Sequence, residues 1–171
     1  MTQLTHTTSN WEKRTFPISI FLHNFSIPVN IGSIFRLADA FGCEHIYLSG
    51  STATPPNRRI TKTSRSADKY VPFTYLEEPF KELVKLKSNG YKIISFELTT
   101  KSKSLSEVSL SNDEKVCLIF GSENAGIIDA LLDLSDEVVH IPMYGETTSL
   151  NVATAAGIAL YHLSEELETE K

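Results

Sequence analysis

Apolar positions follow two rhythms along this chain. Short continuous runs of apolar and β-branched residues occur at Phe16 to His23, His45 to Leu48, Tyr91 to Leu98, Val116 to Phe120 and Val138 to Ile141, with a weaker one at Tyr70 to Tyr75. Runs of this kind predict strands, and a run without polar alternation, such as Val116 to Phe120, predicts a strand covered on both faces. Between the runs lie stretches with helical spacing. At 100° per residue, Ile31, Ile34, Phe35, Ala38 and Phe41 share one face of a helix that Asn30 can cap and Gly42 can stop. The stretch before it, Asn24 to Val29 with Pro28, predicts a loop. Glu77 to Asn89 is amphipathic through Phe80, Leu83, Val84 and Leu86 and stops at Gly90, and a short helix is expected from Gly126 to about Leu134.

The stretch Thr147 to Leu163 organises the rest. Ser149 and Asn151 stand before a segment that is almost entirely apolar or small. A helix with so little solvent face must be covered on both sides. One sheet covers one side, so a second copy of the chain is expected on the other, making the segment a polar rim and a homodimer interface together. Strand and helix alternate throughout, without repeats or a linker. The expected fold is α/β, a single-domain parallel sheet with helices on both faces in three layers. Residues 1–15 read as a loosely held arm, 16–165 as the domain and 166–171 as an acidic tail.

Composition narrows the function classes. Of 171 residues 41% are hydrophobic and 22% charged, ordinary values for a globular domain with a real core. Cys43 and Cys117 lie far apart in apolar runs, which fits buried thiols in a reducing cytosol. No apolar signal core or membrane-length run is present, so a soluble, cytoplasmic protein is expected. The net charge of −5 argues against a polyanion spread over a wide face, yet Arg58, Arg59, Lys62 and Arg65 fall within eight residues. They sit in or beside a long loop, Ser49 to Lys62, and could meet phosphate or simply be solvated.

In open parallel sheets ligands bind at the carboxyl ends of strands. Here those loops are Leu98-Thr99-Thr100, Gly121 to Gly126, and Ile141 to Asn151, whose polar and glycine content suits one shared pocket. The glycines match neither a dinucleotide nor a triphosphate fingerprint, no nucleophile elbow is present, and the five histidines have no metal-ligand spacing. From spacing alone Arg36 reads as a solvated helix arginine.

Three segments, Asn30 to Gly42, Leu118 to Gly126 and Ile141 to Val152, together resemble the SpoU/TrmH family of the SPOUT superfamily, RNA ribose 2′-O-methyltransferases. The resemblance runs from about Phe16 to Leu163, with no added RNA-binding domain, so a minimal catalytic version is expected. It implies a C-terminal deep trefoil knot, a homodimer through the C-terminal helix, and S-adenosylmethionine as cofactor, with no metal. Cofactor contacts carried over by motif position are Leu98, Gly121, Ile141, Ser149 and Leu150. Arg36 matches the family's catalytic arginine. A guanidinium hardly deprotonates, so stabilising a developing alkoxide and gripping a phosphate is the easier role. Asn30, Glu123, Ser149 and Asn151 match positions near the catalytic centre, with Glu123 expected to hold Arg36 by a charge-assisted bond, although Ser149 also suits an N-cap. RNA contacts are expected from Arg58, Arg59, Lys62 and Arg65. The implied activity is 2′-O-methyl transfer to tRNA. Its alternatives are the same reaction on ribosomal RNA, a catalytically idle RNA- or cofactor-binding dimer, and a generic nucleotide-binding enzyme.

Overall fold

The computed structural model describes residues 12–168. Among them the apolar runs form β1 (Phe16–His23), β2 (Cys43–Ser49), β3 (Phe73–Leu76), β4 (Tyr91–Phe96), β6 (Lys115–Phe120) and β7 (Glu137–His140). A two-residue edge strand, β5 (Lys103–Ser104), lies in a polar stretch that carries no strand signal. The order is β3-β2-β1-β6-β4-β7-β5, and every pairing is parallel. Five α-helices connect and cover the sheet: α1 (Pro28–Ala40), α2 (Arg58–Ser64), α3 (Pro79–Ser88), α4 (Asp129–Leu132) and α5 (Val152–Glu168).

The continuous apolar runs are explained by burial on both faces. Ile18, Ile20 and Leu22 of β1 pack with Ile31, Ile34 and Phe35 of α1, Ile60 of α2 and Leu160 of α5. Phe21 joins Ile93 and Cys117 on the opposite face, under Leu83 and Leu86 of α3 and Leu131 of α4. The sheet is therefore a middle layer, with α1, α2 and α5 on one side and α3 and α4 on the other. Both cysteines are free and buried, and burial pushes the Cys43 thiol up to about 12.

Strand order also places the cleft. From β1 the chain steps outward through β2 to β3, then resumes with β4 on the far side of β1. β1 and β6 are neighbours, but the segment after β1 rises to the face of α1 and the segment after β6 goes to the face of α4. The two loops diverge and open a crevice at the carboxyl ends of the strands, as at the switch points of open α/β sheets.

Several boundaries depart from the spacing-based expectation. Helix α1 begins at Pro28, inside the expected loop, because proline's fixed φ and missing N–H suit a first helical position. Asn30 therefore lies in the first turn and is 6% exposed, so it is not the cap. Gly42 does stop the helix, at φ 62°. The basic segment is not a loop. The Asn57 side chain accepts from the N–H groups of Arg59 (2.9 Å) and Ile60 (3.4 Å) and so starts α2, while Ile60 anchors it in the core. Arg58, Arg59 and Lys62 project from that helix, and Arg65 is its left-handed C-cap (φ 55°).

On α3 the core takes Leu83 and Leu86 but leaves Phe80 and Val84 partly exposed. Helix α5 continues to Glu168, past the boundary expected at 165, and Glu168 pairs with Arg14 at 3.0 Å. The rest of the acidic segment (169–171) and most of the expected arm (1–11) lie outside the described residues. One side of α5, with Ala156, Ala159, Leu160 and Leu163, is buried, whereas Ile158 is 40% and Tyr161 57% exposed.

Helix α1 meets α2 at Gly32, where a Cβ would stand 2.0 Å from Thr63 Oγ1 and 2.5 Å from the Ile60 carbonyl oxygen. The Thr63 hydroxyl can turn away, but the carbonyl cannot. Gly32→Ala is expected to cost about 1–3 kcal/mol through overpacking, lowering the thermal midpoint by about 3–10 °C; calorimetry of the two proteins checks this.

Candidate functional site

The loops after β1, β4, β6 and β7 and the first turn of α5 converge on a cavity of about 420 Å³ at the crevice. Its floor is apolar. Phe96 and Phe120, the last residues of the paired strands β4 and β6, stack with ring centroids 5.0 Å apart and planes inclined by 24°. Val139 of β7 adjoins Phe96 in register.

The rim is polar, and one buried amide arranges it. Asn151 Oδ1 accepts from the N–H groups of Ala153 (2.9 Å) and Thr154 (3.4 Å), so Asn151 is the N-cap of α5. That leaves its Nδ2 to donate to Asn30 Oδ1 at 3.1 Å. Asn30 Nδ2 in turn donates to Glu123 Oε1 at 2.9 Å. The other oxygen of Glu123 accepts from the backbone N–H (3.1 Å) and hydroxyl (3.2 Å) of Ser26. Each amide thus has its donor and acceptor ends assigned by the partner before it. Partial burial by itself would raise the Glu123 carboxyl, but hydrogen bonds from Asn30, from backbone N–H groups and from Ser26 outweigh it and hold it below the usual carboxylate range.

The β6 loop that carries Glu123 is closed by reciprocal backbone bonds between Ser122 and Gly126 (3.1 and 3.0 Å). A Cβ on Gly121 would lie 2.4 Å from the Gly126 carbonyl carbon, so only glycine fits that turn. Glu97, at the end of β4, ties the loops together: its oxygens accept from the N–H of Leu98 (3.1 Å) and the N–H of Ile127 (3.0 Å).

Of the residues expected at the catalytic centre, Asn30, Glu123, Ser149 and Asn151 line the cavity. Ser149 is exposed there and is not a cap, since Asn151 fills that role. Leu98, Gly121, Ser149 and Leu150 also line the cavity, while Ile141 adjoins it after His140 and packs against the core. Arg36 does not line it. Six residues along α1 from Asn30, it lies about 120° around the helix and about 9 Å along the axis, and it is exposed with no ion pair among the described residues. The expected bond from Glu123 to Arg36 is absent because Ser26 and Asn30 take the carboxylate. Arg58, Arg59, Lys62 and Arg65 lie away from this cavity, on and just after α2.

Sequence reasoning missed Glu97 and Ser26, which bind the rim together from loops that carry no motif. The signal for Glu97 was slight: a lone carboxylate near the end of the apolar run Tyr91 to Leu98. Among the described residues no group of three or more His, Cys, Asp or Glu has an arrangement that could hold a metal ion.

Comparison with known proteins supplies the context for this geometry. The profile of the SpoU rRNA methylase family matches residues 17–161. A 23S rRNA (guanosine(2553)-2′-O)-methyltransferase of Bacillus subtilis is 32% identical over 80% of this chain, which spans about half (53%) of that relative's length. A tRNA (guanosine(18)-2′-O)-methyltransferase of Aquifex aeolicus is 30% identical over 92% of this chain and 73% of its own length. In fold, the chain is similar to an AdoMet-bound rRNA methyltransferase from Sinorhizobium meliloti, with TM-score 0.81 and 24% identity, covering 94% of this chain and 60% of that one.

Asn30→Ala removes the donor that favours the ionised Glu123, so the carboxyl should titrate at higher pH, read by NMR of the Glu123 side chain. The same change also removes the bond from Asn151, and the loss of two side-chain hydrogen bonds is expected to cost about 1–3 kcal/mol of stability. In the unaltered protein Glu123 has a lowered folded-state value. Its contribution to stability is therefore complete above the ordinary value of about 4.3 and is lost as pH falls through the lowered one. Glu123→Gln should flatten that acid limb in denaturant titrations across pH.

Proposed function

The chain belongs to the SpoU rRNA methylase family, and from that premise we propose that it transfers a methyl group from S-adenosylmethionine to a ribose 2′-hydroxyl of RNA, with tRNA the favoured substrate. One observation carries the reading: three stretches far apart in the chain supply Asn30, Glu123 and Asn151, and these form one hydrogen-bonded set on the rim of a cavity at the strand ends. A binding module has no need of such a set beside an apolar ligand cavity. Ribosomal RNA is the second reading, favoured by the family's description and by the name of the 32% identical relative.

The cavity suits the cofactor. Its volume falls in the range of small-molecule sites, with an aromatic and aliphatic floor and polar groups confined to the rim. Leu98, Gly121, Ile141, Ser149 and Leu150 are the contacts we propose. When bound, S-adenosylmethionine supplies an already activated methyl group, so the protein's task is chiefly alignment and charge management. Asn30 and Glu123 hold the rim in a fixed hydrogen-bonded geometry, and Glu123, ionised at neutral pH, can orient a hydroxyl as an acceptor. The threading of the C-terminal segment into a deep trefoil knot is also proposed. Its support is the insertion of β7 between β4 and β5, both laid down earlier in the chain.

We further propose a homodimer through α5. The uncovered Ile158 and Tyr161 support it, with Phe41 of α1 meeting the Tyr161 ring at 6.3 Å. The dimer gives Arg36 its role: a cation that does not line its own chain's cavity completes the partner's, stabilising the developing alkoxide and gripping the adjacent phosphate. Arg58, Arg59, Lys62 and Arg65, exposed and without ion pairs among the described residues, are the proposed RNA contacts. Residues 16–168 are the proposed domain, with α5 included to its end at Glu168. No described helix is long and apolar enough to cross a membrane. The buried free thiols support a cytoplasmic setting, where the RNA is.

Labelled methyl should pass from S-adenosylmethionine to one size class of unmodified RNA, in alkali-stable linkage, and Arg36→Ala should lower the rate by about a hundredfold or more. Label that persists in the variant would remove Arg36 from the site. Mixing inactive Arg36→Ala and Glu123→Gln protomers should restore about a quarter of the activity, because half the dimers then carry one complete site; no recovery would put Arg36 and Glu123 of one chain in the same site. Arg58→Glu with Arg59→Glu should weaken RNA binding and flatten its salt dependence by about 0.7 log unit per lost phosphate contact.

A further inference from the structure

A second cavity, of about 460 Å³, opens at the carboxyl ends of β2 and β3, lined by residues 50–55 together with Phe73 and Tyr75. The two aromatic residues alternate on β3 and so share one face of the sheet, the face that also carries α2. Both rings are held in place. Phe73 meets Phe35 edge-on at 5.6 Å, and the Tyr75 hydroxyl donates to the Gly50 carbonyl at 2.7 Å. The opposite wall is fixed as firmly, since Asn24 Oδ1 accepts from Ser51 N (3.0 Å) and Thr52 Oγ1 accepts from Phe25 N (3.0 Å). A Cβ on Gly50 would strike Asn24 Oδ1 at 2.1 Å.

The chemistry of this cavity is specific in kind. Its lining contains no charged side chain. Three residues beyond Pro55, however, α2 presents Arg58, Arg59 and Lys62, followed by Arg65, all exposed and none in an ion pair among the described residues. Uncharged aromatic walls flanked by free cations match a flat base inside and phosphates outside. The loop that forms the wall is bonded to Asn24 and Phe25, and the next residue, Ser26, donates to Glu123. The cavity is therefore built onto the same loop that positions the rim carboxylate. At about 4.8 Å per strand the two cavities are separated by about 15–20 Å, a span that a few unstacked nucleotides cover.

We propose that this cavity seats one unstacked nucleobase of the RNA substrate, stacked against Tyr75 and Phe73, a few nucleotides from the ribose that is methylated. The inference rests on the RNA methyl-transfer reading above. It adds a recognition element that contacts a base, where the α2 cations contact phosphates.

The test is fluorescence anisotropy of the full chain with two labelled probes of equal length, a mixed-sequence single-stranded oligoribonucleotide and its abasic ribose-phosphate counterpart. The protein should bind the base-bearing probe more tightly. Tyr75→Ala should weaken binding to that probe by about tenfold, leave the abasic probe unaffected and keep S-adenosylmethionine affinity unchanged. Tyr75→Phe, which loses only the bond to Gly50, should retain the preference. Equal affinity for the two probes overturns the proposal without any variant, as does a Tyr75→Ala protein that binds both as the unaltered protein does. Failure to bind either probe, with methyl transfer to RNA intact, also overturns the pocket and spares the enzyme. Absence of both cofactor binding and methyl transfer would instead bring down the reading on which the proposal rests.

Discussion

The site depends on one buried side chain that must satisfy two partners at once. Asn30 is 6% exposed, and an amide in that position is costly unless both its ends are bonded. Its oxygen is taken by Asn151 and its nitrogen by Glu123, so α1, the β6 loop and the start of α5 cannot shift independently. Removing Glu123 or Asn151 would strand one end of the Asn30 amide in a poorly solvated place. The energetic penalty for misplacement is thus what locates these three segments against one another.

That arrangement is possible because the sheet beneath it is rigid and apolar. β1, β6 and β4 bury residues on both faces, and their last residues, with the Phe96 and Phe120 rings, end at nearly the same height. The loops leave this edge in opposite directions because the helices that follow lie on opposite faces. A polar rim over an apolar floor follows from topology, and Glu97 and the Ser122–Gly126 closure hold the rim's shape by satisfying backbone N–H groups within it.

Helix α5 serves two ends of the same argument. Its first turn is capped by Asn151, which ties it to the rim, and its buried side fastens it to the sheet through Ala156, Ala159 and Leu160. The expectation that both of its sides would need cover rested on composition. In the single chain one side is covered and the other is not, with Ile158 and Tyr161 open to solvent. The proposed dimer answers that asymmetry and the position of Arg36 together, since one partner would cover the apolar side and receive the cation.

Much of this protein was legible in the chain itself. Apolar runs such as Val116 to Phe120 declare buried parallel strands because a strand covered on both faces has no polar alternation to show. Gly42 ends α1 because its left-handed φ is a local matter, and the motif segments placed Asn30, Glu123 and Asn151 among the candidates. Other features were decided only by the folded molecule. Pro28 reads equally as loop or first turn until α1 has a surface to pack on, and Asn57 becomes a cap only once Ile60 is buried. Glu97 and Ser26 gain their roles from N–H donors and acceptors up to 97 residues away. Arg36 and Asn30 share a motif but not a helix face. Local rules depend on neighbours in the chain, and the sequence carries those. Which side chain answers which across the crevice depends on strand order, and that exists only after the sheet has closed its sides.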